Sequence, residues 1–121
     1  SGNELVLETK RLAVMNIYLH GIEADIYYGD SISEGPHVGK KYKVIMTNPP
    51  FGIKSGGVTA VRSDFNVTTS NKQLNFVQHV MSALETPGRA AMVVPDNVLF
   101  DSGAGTKIRQ ILLEDFNFHA S

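Results

Sequence analysis

The chain contains no cysteine, and that one absence removes disulfides, zinc fingers, iron–sulfur clusters and thiol catalysis together. It also lacks a large charge of either sign. Eleven lysines and arginines against 12 acids leave a formal net charge of −1, too little for a uniformly basic nucleic-acid coat. No charged-then-apolar leader opens the sequence, and its longest apolar runs fall far short of a membrane span. A cytoplasmic location, with no membrane partner, is the expectation from these absences. What is present is 121 residues, 42% of them hydrophobic, the make-up of one folded domain of ordinary size.

The charge that exists is unevenly placed. From Gly35 to Lys72 there are six basic residues, Lys40, Lys41, Lys43, Lys54, Arg62 and Lys72, against the single acid Asp64, a net of +5. The remainder of the chain carries −6. A basic tract beside a reactive loop suits a polyanion such as DNA. Equally, lysines flank many exposed strands simply as solvated ends. Lys54, Arg62 and Lys72 are the candidate DNA contacts.

Periodicity predicts a helix over Leu5 to His20, with Leu12, Met15 and Leu19 on one stripe and Gly21 as a left-handed cap. A short strand follows over Ala24 to Tyr28, ending at Gly29-Asp30. Lys43 to Thr47 lies in a near-continuous apolar run, the pattern of a parallel strand buried on both faces. Gly52 to Ser70 reads as a long loop, of the kind that is usually functional or mobile. Asn71 to Glu85 is a second helix, with Leu74, Val77, Met81 and Leu84 at core spacing, stopped by Pro87-Gly88. Ala90 to Val94 is a further buried strand, Ala104 to Asp115 a last helix, and Phe116 to Ala120 the start of another strand. The alternation of helix and strand argues for an α/β fold with a mainly parallel, doubly wound sheet.

Asn48-Pro49-Pro50-Phe51 follows the strand at Thr47, at the C-terminal edge where open α/β sheets place their sites. Two prolines fix their own φ angles and remove two backbone donors, and each pushes its predecessor into extended geometry. The loop is therefore stiff and presents an amide side chain, a backbone carbonyl and an aromatic face together. The Asn48 carboxamide oxygen and the Pro49 carbonyl can each accept an N–H from an exocyclic amine. Both bonds draw the nitrogen lone pair out of conjugation and towards a methyl electrophile, while Phe51 stacks on the ring. A base in a duplex must be flipped out to reach such a pocket. The plainer reading is a proline-rich turn in which Asn48 satisfies its own backbone. Asp96 and Asn97 form a Pro-Asp-Asn turn that needs no ligand. His20, His37, His79 and His119 show no metal-ligand spacing, and helix-end and surface roles are expected for them.

These residues carry a resemblance. Asn48-Pro49-Pro50-Phe51 resembles the catalytic motif of the amino-methyltransferases that use S-adenosylmethionine. The wider sequence resembles the modification subunit of type I restriction–modification systems, a DNA adenine N6-methyltransferase family. Gly2-Asn3-Glu4 resembles that family's Gly-Gln-Glu element, and Arg11 to Asn16 with His20-Gly21-Ile22 matches its Arg-Leu-Ala-x-Met-Asn helix and His-Gly-Ile end. Gly29-Asp30, the lysine Lys54 after the motif, Val93-Val94-Pro95 and Leu99-Phe100 continue the series.

The resemblance implies a Rossmann-like methyltransferase fold, with Glu4 on the cofactor's ribose hydroxyls and Asp30 on its adenine amino group. Asn48, Pro49, Pro50 and Phe51 would be catalytic, with Asn48 also near the cofactor. It implies no metal, and it implies DNA, a specificity subunit and a restriction (motor and nuclease) subunit as partners. The family's glycine-rich cofactor loop should precede Glu4, and neither it nor the strand leading into it stands before that residue here. Residues 1–121 are therefore expected to be part of a catalytic domain, incomplete at its first strand. Taken alone, such a chain should be catalytically inactive, bind the cofactor weakly or not at all, and leave the strands at Ala24 and Lys43 abnormally paired or with apolar edges exposed. The alternatives are a protein-glutamine or RNA amino-methyltransferase, or a non-catalytic assembly module.

Overall fold

A computed structural model describes residues 1–51 and 62–119. Eight elements follow one another: β1 (Gly2–Glu4), α1 (Leu7–Leu19), β2 (Ile26–Tyr28), β3 (Tyr42–Thr47), α2 (Lys72–Ala83), β4 (Leu84–Met92), α3 (Asp96–Phe100) and α4 (Ala104–Asp115). The chain is α/β, and every strand pair among the described residues is parallel. The strands do not form one doubly wound sheet. They form two ladders of two strands, β1 with β2 and β3 with β4.

The core lies on the second ladder's side. Leu74 and Val77 from α2, Val98 from α3 and Ile108 from α4 form its buried cluster, with Val67, Met81, Met92, Val94 and Leu112 packed around it. Asn71 starts α2, its side chain accepting hydrogen bonds from the Gln73 and Leu74 amides at 3.0 and 3.3 Å. Gly103 starts α4 at φ +66°, a conformation that L side chains rarely adopt.

Several sequence expectations are corrected. The α1 stripe faces solvent: Leu12, Met15 and Leu19 are exposed and no residue of the helix is buried. Its neighbours, β1 and β2, are three residues each, too little surface to cover a thirteen-residue helix. β3 is not buried on both faces, since Val44 and Met46 are 67% and 81% exposed. It pairs with β4 alone, and nothing described covers that side. β4 begins at Leu84 rather than Ala90: Tyr42 pairs with Leu84, the register then shifts, and Val44 to Thr47 pair with Arg89 to Met92. Pro87-Gly88 thus lies in an excursion within the strand instead of stopping the helix, which ends at Ala83. A Cβ at Gly88 would collide with the Glu85 carbonyl, so the excursion requires glycine there.

The turn at Asp96-Asn97 is the first turn of α3. Residues 117–119 form no strand. The long loop expected over Gly52 to Ser70 is tied down where it is described. The Val67 amide donates to Gln78 Oε1 and its carbonyl accepts from Gln78 Nε2, both at 2.8 Å, while the Thr69 carbonyl accepts from Asn75 Nδ2 at 2.9 Å.

Candidate active site

Parallel pairing brings the two acidic candidates to one edge. Glu4 ends β1 opposite Tyr28 of β2, and the Gly29 amide donates to the Glu4 carbonyl at 3.1 Å, so Asp30 emerges directly beside Glu4's strand end. Each carboxylate uses one oxygen to fix local backbone. Glu4 Oε1 accepts from the Val6 amide at 2.8 Å, at the entry to α1. Asp30 Oδ1 accepts from the amide of buried Ile32 at 3.1 Å. Among the described residues the second oxygen of each has no hydrogen-bond partner, leaving one acceptor per residue at the strand ends.

The second edge is built by β3 and β4. Thr47 pairs with Met92, and the Val93 amide donates to the Thr47 carbonyl at 3.2 Å, so Asn48 and Val93 leave the ladder side by side. In the segment that follows, Pro49 is buried while Asn48, Pro50 and Phe51 are exposed. The buried ring anchors this segment and its neighbours project outward. The Asn48 carboxamide has no hydrogen-bond partner among the described residues, contrary to a turn in which it satisfies its own backbone. Behind this edge, Asn97 Nδ2 donates to Gln73 Oε1 at 2.7 Å, and Asn71 Nδ2 donates to Asp101 Oδ2 at 3.3 Å, tying α3 and its end to the start of α2.

The three candidate DNA contacts fare differently. Lys72 is exposed at the first position of α2. Lys54 lies outside the described residues. Arg62 is buried, with 5% of its surface accessible, and its guanidinium is engaged within the chain, so it is not free to meet a phosphate. Among the described residues no group of three or more histidines and carboxylates could hold a metal ion, and no helix is long and apolar enough to cross a membrane.

A family model described as N-6 DNA Methylase matches residues 1–120. The chain belongs to this family. It is 46% identical over 124 aligned residues to the Type I restriction enzyme EcoKI methylase subunit of Escherichia coli (strain K12), an alignment covering 98% of this chain and 23% of that subunit. The StySJI methylase subunit of Salmonella typhimurium gives the same identity and coverage. The EcoEI methylase subunit of Escherichia coli is 34% identical over 111 residues, 89% of this chain. The crystal structure of the EcoKI M protein superposes with a TM-score of 0.81 over 92% of this chain and 24% of that one. The chain thus spans 23% of the length of these methylase subunits.

What sequence reading missed in this chain is a polar knot next to Asp30, centred on Arg62. Arg62 donates to Asp64 through Nε and Nη2 at 2.9 and 2.6 Å, and through Nη1 to the Ser31 carbonyl at 2.6 Å and to His79 Nδ1 at 2.8 Å. His37 and His79 meet edge to face, their ring centroids 5.9 Å apart, so His79 is no surface residue. Burial, reinforced by the Arg62 guanidinium and by His37, lowers His79 to about 4. Burial alone would raise Asp64; hydrogen bonds from Arg62, with Ser82 adding to them, outweigh it and hold that carboxyl below its usual value. An arginine two residues before an aspartate was the one available signal, and that pairing is common on solvated loops.

Proposed function

We propose that this chain forms the target-base side of a DNA adenine N6-methyltransferase, working within a type I restriction–modification methylase subunit. One observation carries the reading: the Asn48 carboxamide, without a hydrogen-bond partner among the described residues, stands exposed at the end of a parallel strand, between that strand and the anchoring ring of Pro49. Family membership across residues 1–120, and similarity to type I restriction enzyme methylase subunits, support it over a protein-glutamine or RNA substrate.

The residues fit the cofactor that N6 methylation needs. Glu4 would hold the ribose hydroxyls of S-adenosylmethionine with its unengaged oxygen, and Asp30 would accept from the adenine amino group. When bound, the cofactor supplies an electrophilic methyl group. Asn48 and the Pro49 carbonyl would each accept one N–H of the target amine, turning its lone pair out of the ring's conjugation. Pro50 would keep the loop rigid, and Phe51, 52% exposed, would stack on the flipped base. The rate enhancement would come from positioning and aligned acceptors. Lys54 and Lys72 remain the DNA contacts in this scheme.

Residues 1–121 would form part of an incomplete Rossmann-like catalytic domain, which the two separate parallel ladders support. Specificity and restriction subunits would complete the assembly and choose the DNA target. The test is Asn48→Ala in the complete subunit assembled with its partners. Methyl transfer to adenine in duplex DNA should vanish while circular dichroism stays unchanged. Retained methylation would defeat the assignment.

A further inference from the structure

The Arg62 knot joins parts of the molecule that the strand ladders leave unlinked. No ladder connects the Glu4–Asp30 edge to the Asn48 edge among the described residues. The segment after Asp30 is instead bolted to α2. Arg62 and His37 Nε2 both reach the Ser31 carbonyl, at 2.6 and 3.0 Å, one residue beyond Asp30. Four residues beyond Asp30, Glu34 Oε1 accepts from the Ser63 amide at 2.7 Å. On the other side, Arg62 is fixed to α2 through His79 at 2.8 Å and Ser82 at 3.4 Å, and lies 4.5 Å over the Phe65 ring. α2 in turn contacts β4, the strand beside Asn48.

We propose that Arg62 is a positioning residue: by locking the Ser31 carbonyl to α2 it holds Asp30 in place for the cofactor's adenine ring. The proposal rests on the cofactor role assigned to Asp30 above. The chemistry favours such a role. A guanidinium with 1% of its side chain accessible must have all its donors matched, and its planar fork spans a carboxylate, a carbonyl and a ring nitrogen in fixed directions. Lysine offers a single point charge and cannot hold the same set. A neutral His79 keeps the ring nitrogen available as acceptor. Because Asp30 is itself clamped to the Ile32 amide, a shift at Ser31 moves the carboxylate with it.

The test measures S-adenosylmethionine and duplex DNA binding separately, by calorimetry on the complete subunit well below its melting temperature. Arg62→Ala should raise the Kd for S-adenosylmethionine about tenfold or more while leaving the Kd for DNA within about twofold. Arg62→Lys should fall between that variant and wild type. Asp64→Asn, which loosens the fork but keeps the Ser31 bond, should shift Kd the same way by less, and it decides the matter if Arg62→Ala does not fold. Variants that melt earlier but bind S-adenosylmethionine as wild type does would overturn the proposal, showing Arg62 to serve stability alone. Wild-type protein that bound no S-adenosylmethionine would instead defeat the assignment of the site itself.

Discussion

Arg62 donates through Nη1 to Nδ1 of His79 at 2.8 Å, and this bond exists only while the imidazole is neutral with its proton on Nε2. Protonating His79 would remove the acceptor and set two cations against each other in a half-buried space.

Stability should therefore depend on pH in a defined window. The unfolded chain takes up a proton on this histidine near pH 6.5, whereas the folded chain resists until about pH 4. Above pH 6.5 the two states carry the same charge there and the effect is nil. As pH falls from 6.5 towards 4, the unfolded state gains protons that the folded state does not, and stability drops, in all by about 1 to 3 kcal/mol. Urea denaturation at a series of pH values measures this. In His79→Asn, where an amide oxygen can accept from Arg62 without titrating, the slope over that window should flatten. An unchanged slope would assign the effect to another group.

The cap of α2 makes a prediction against habit. Asn71→Ala should destabilise the protein by about 1 kcal/mol, since the Gln73 and Leu74 amides lose their acceptor. Aspartate is ordinarily as good a cap as asparagine. Here Asn71 Nδ2 donates to Asp101 Oδ2 at 3.3 Å, so Asn71→Asp would place two carboxylates face to face. Thermal denaturation should show Asn71→Asp no better than Asn71→Ala at neutral pH and recovering as the carboxylates protonate.

Lys72 separates the electrostatic role from the structural one. Exposed at the start of α2, it should contribute one phosphate contact and little stability. Lys72→Ala in the complete assembly should lower the salt dependence of DNA binding by about one unit in the log–log slope, leaving S-adenosylmethionine binding unchanged. An unaltered slope would remove Lys72 from the DNA interface.

How much of this was legible in the sequence differs by element. α2 could be read because Leu74 and Val77 recur at helical spacing and do face the core. α1 shows the same periodicity at Leu12, Met15 and Leu19, yet they lie in solvent, because periodicity reports an apolar face and not what covers it. Pro87-Gly88 reads locally as a stop, and only the register of β3 against β4 reveals an excursion inside a strand. The end of β3 at Thr47 was readable because the two prolines that follow Asn48 cannot continue a ladder, and proline geometry is local and independent of packing. Arg62 was not, since an arginine among glycines, serines and threonines looks solvated until Ser31 and His79 arrive from two other segments to join the adjacent Asp64.

The pairing of Thr47 with Met92 carries a warning for anyone inferring activity from genomes. Side chains alternate along a strand, so one residue inserted into or deleted from Tyr42–Thr47 would turn Asn48 to the opposite side of the ladder. The letters Asn-Pro-Pro-Phe would survive intact. A chain can thus keep the signature and lose the chemistry, and the length of the preceding strand is as much a part of that signature as the four residues themselves.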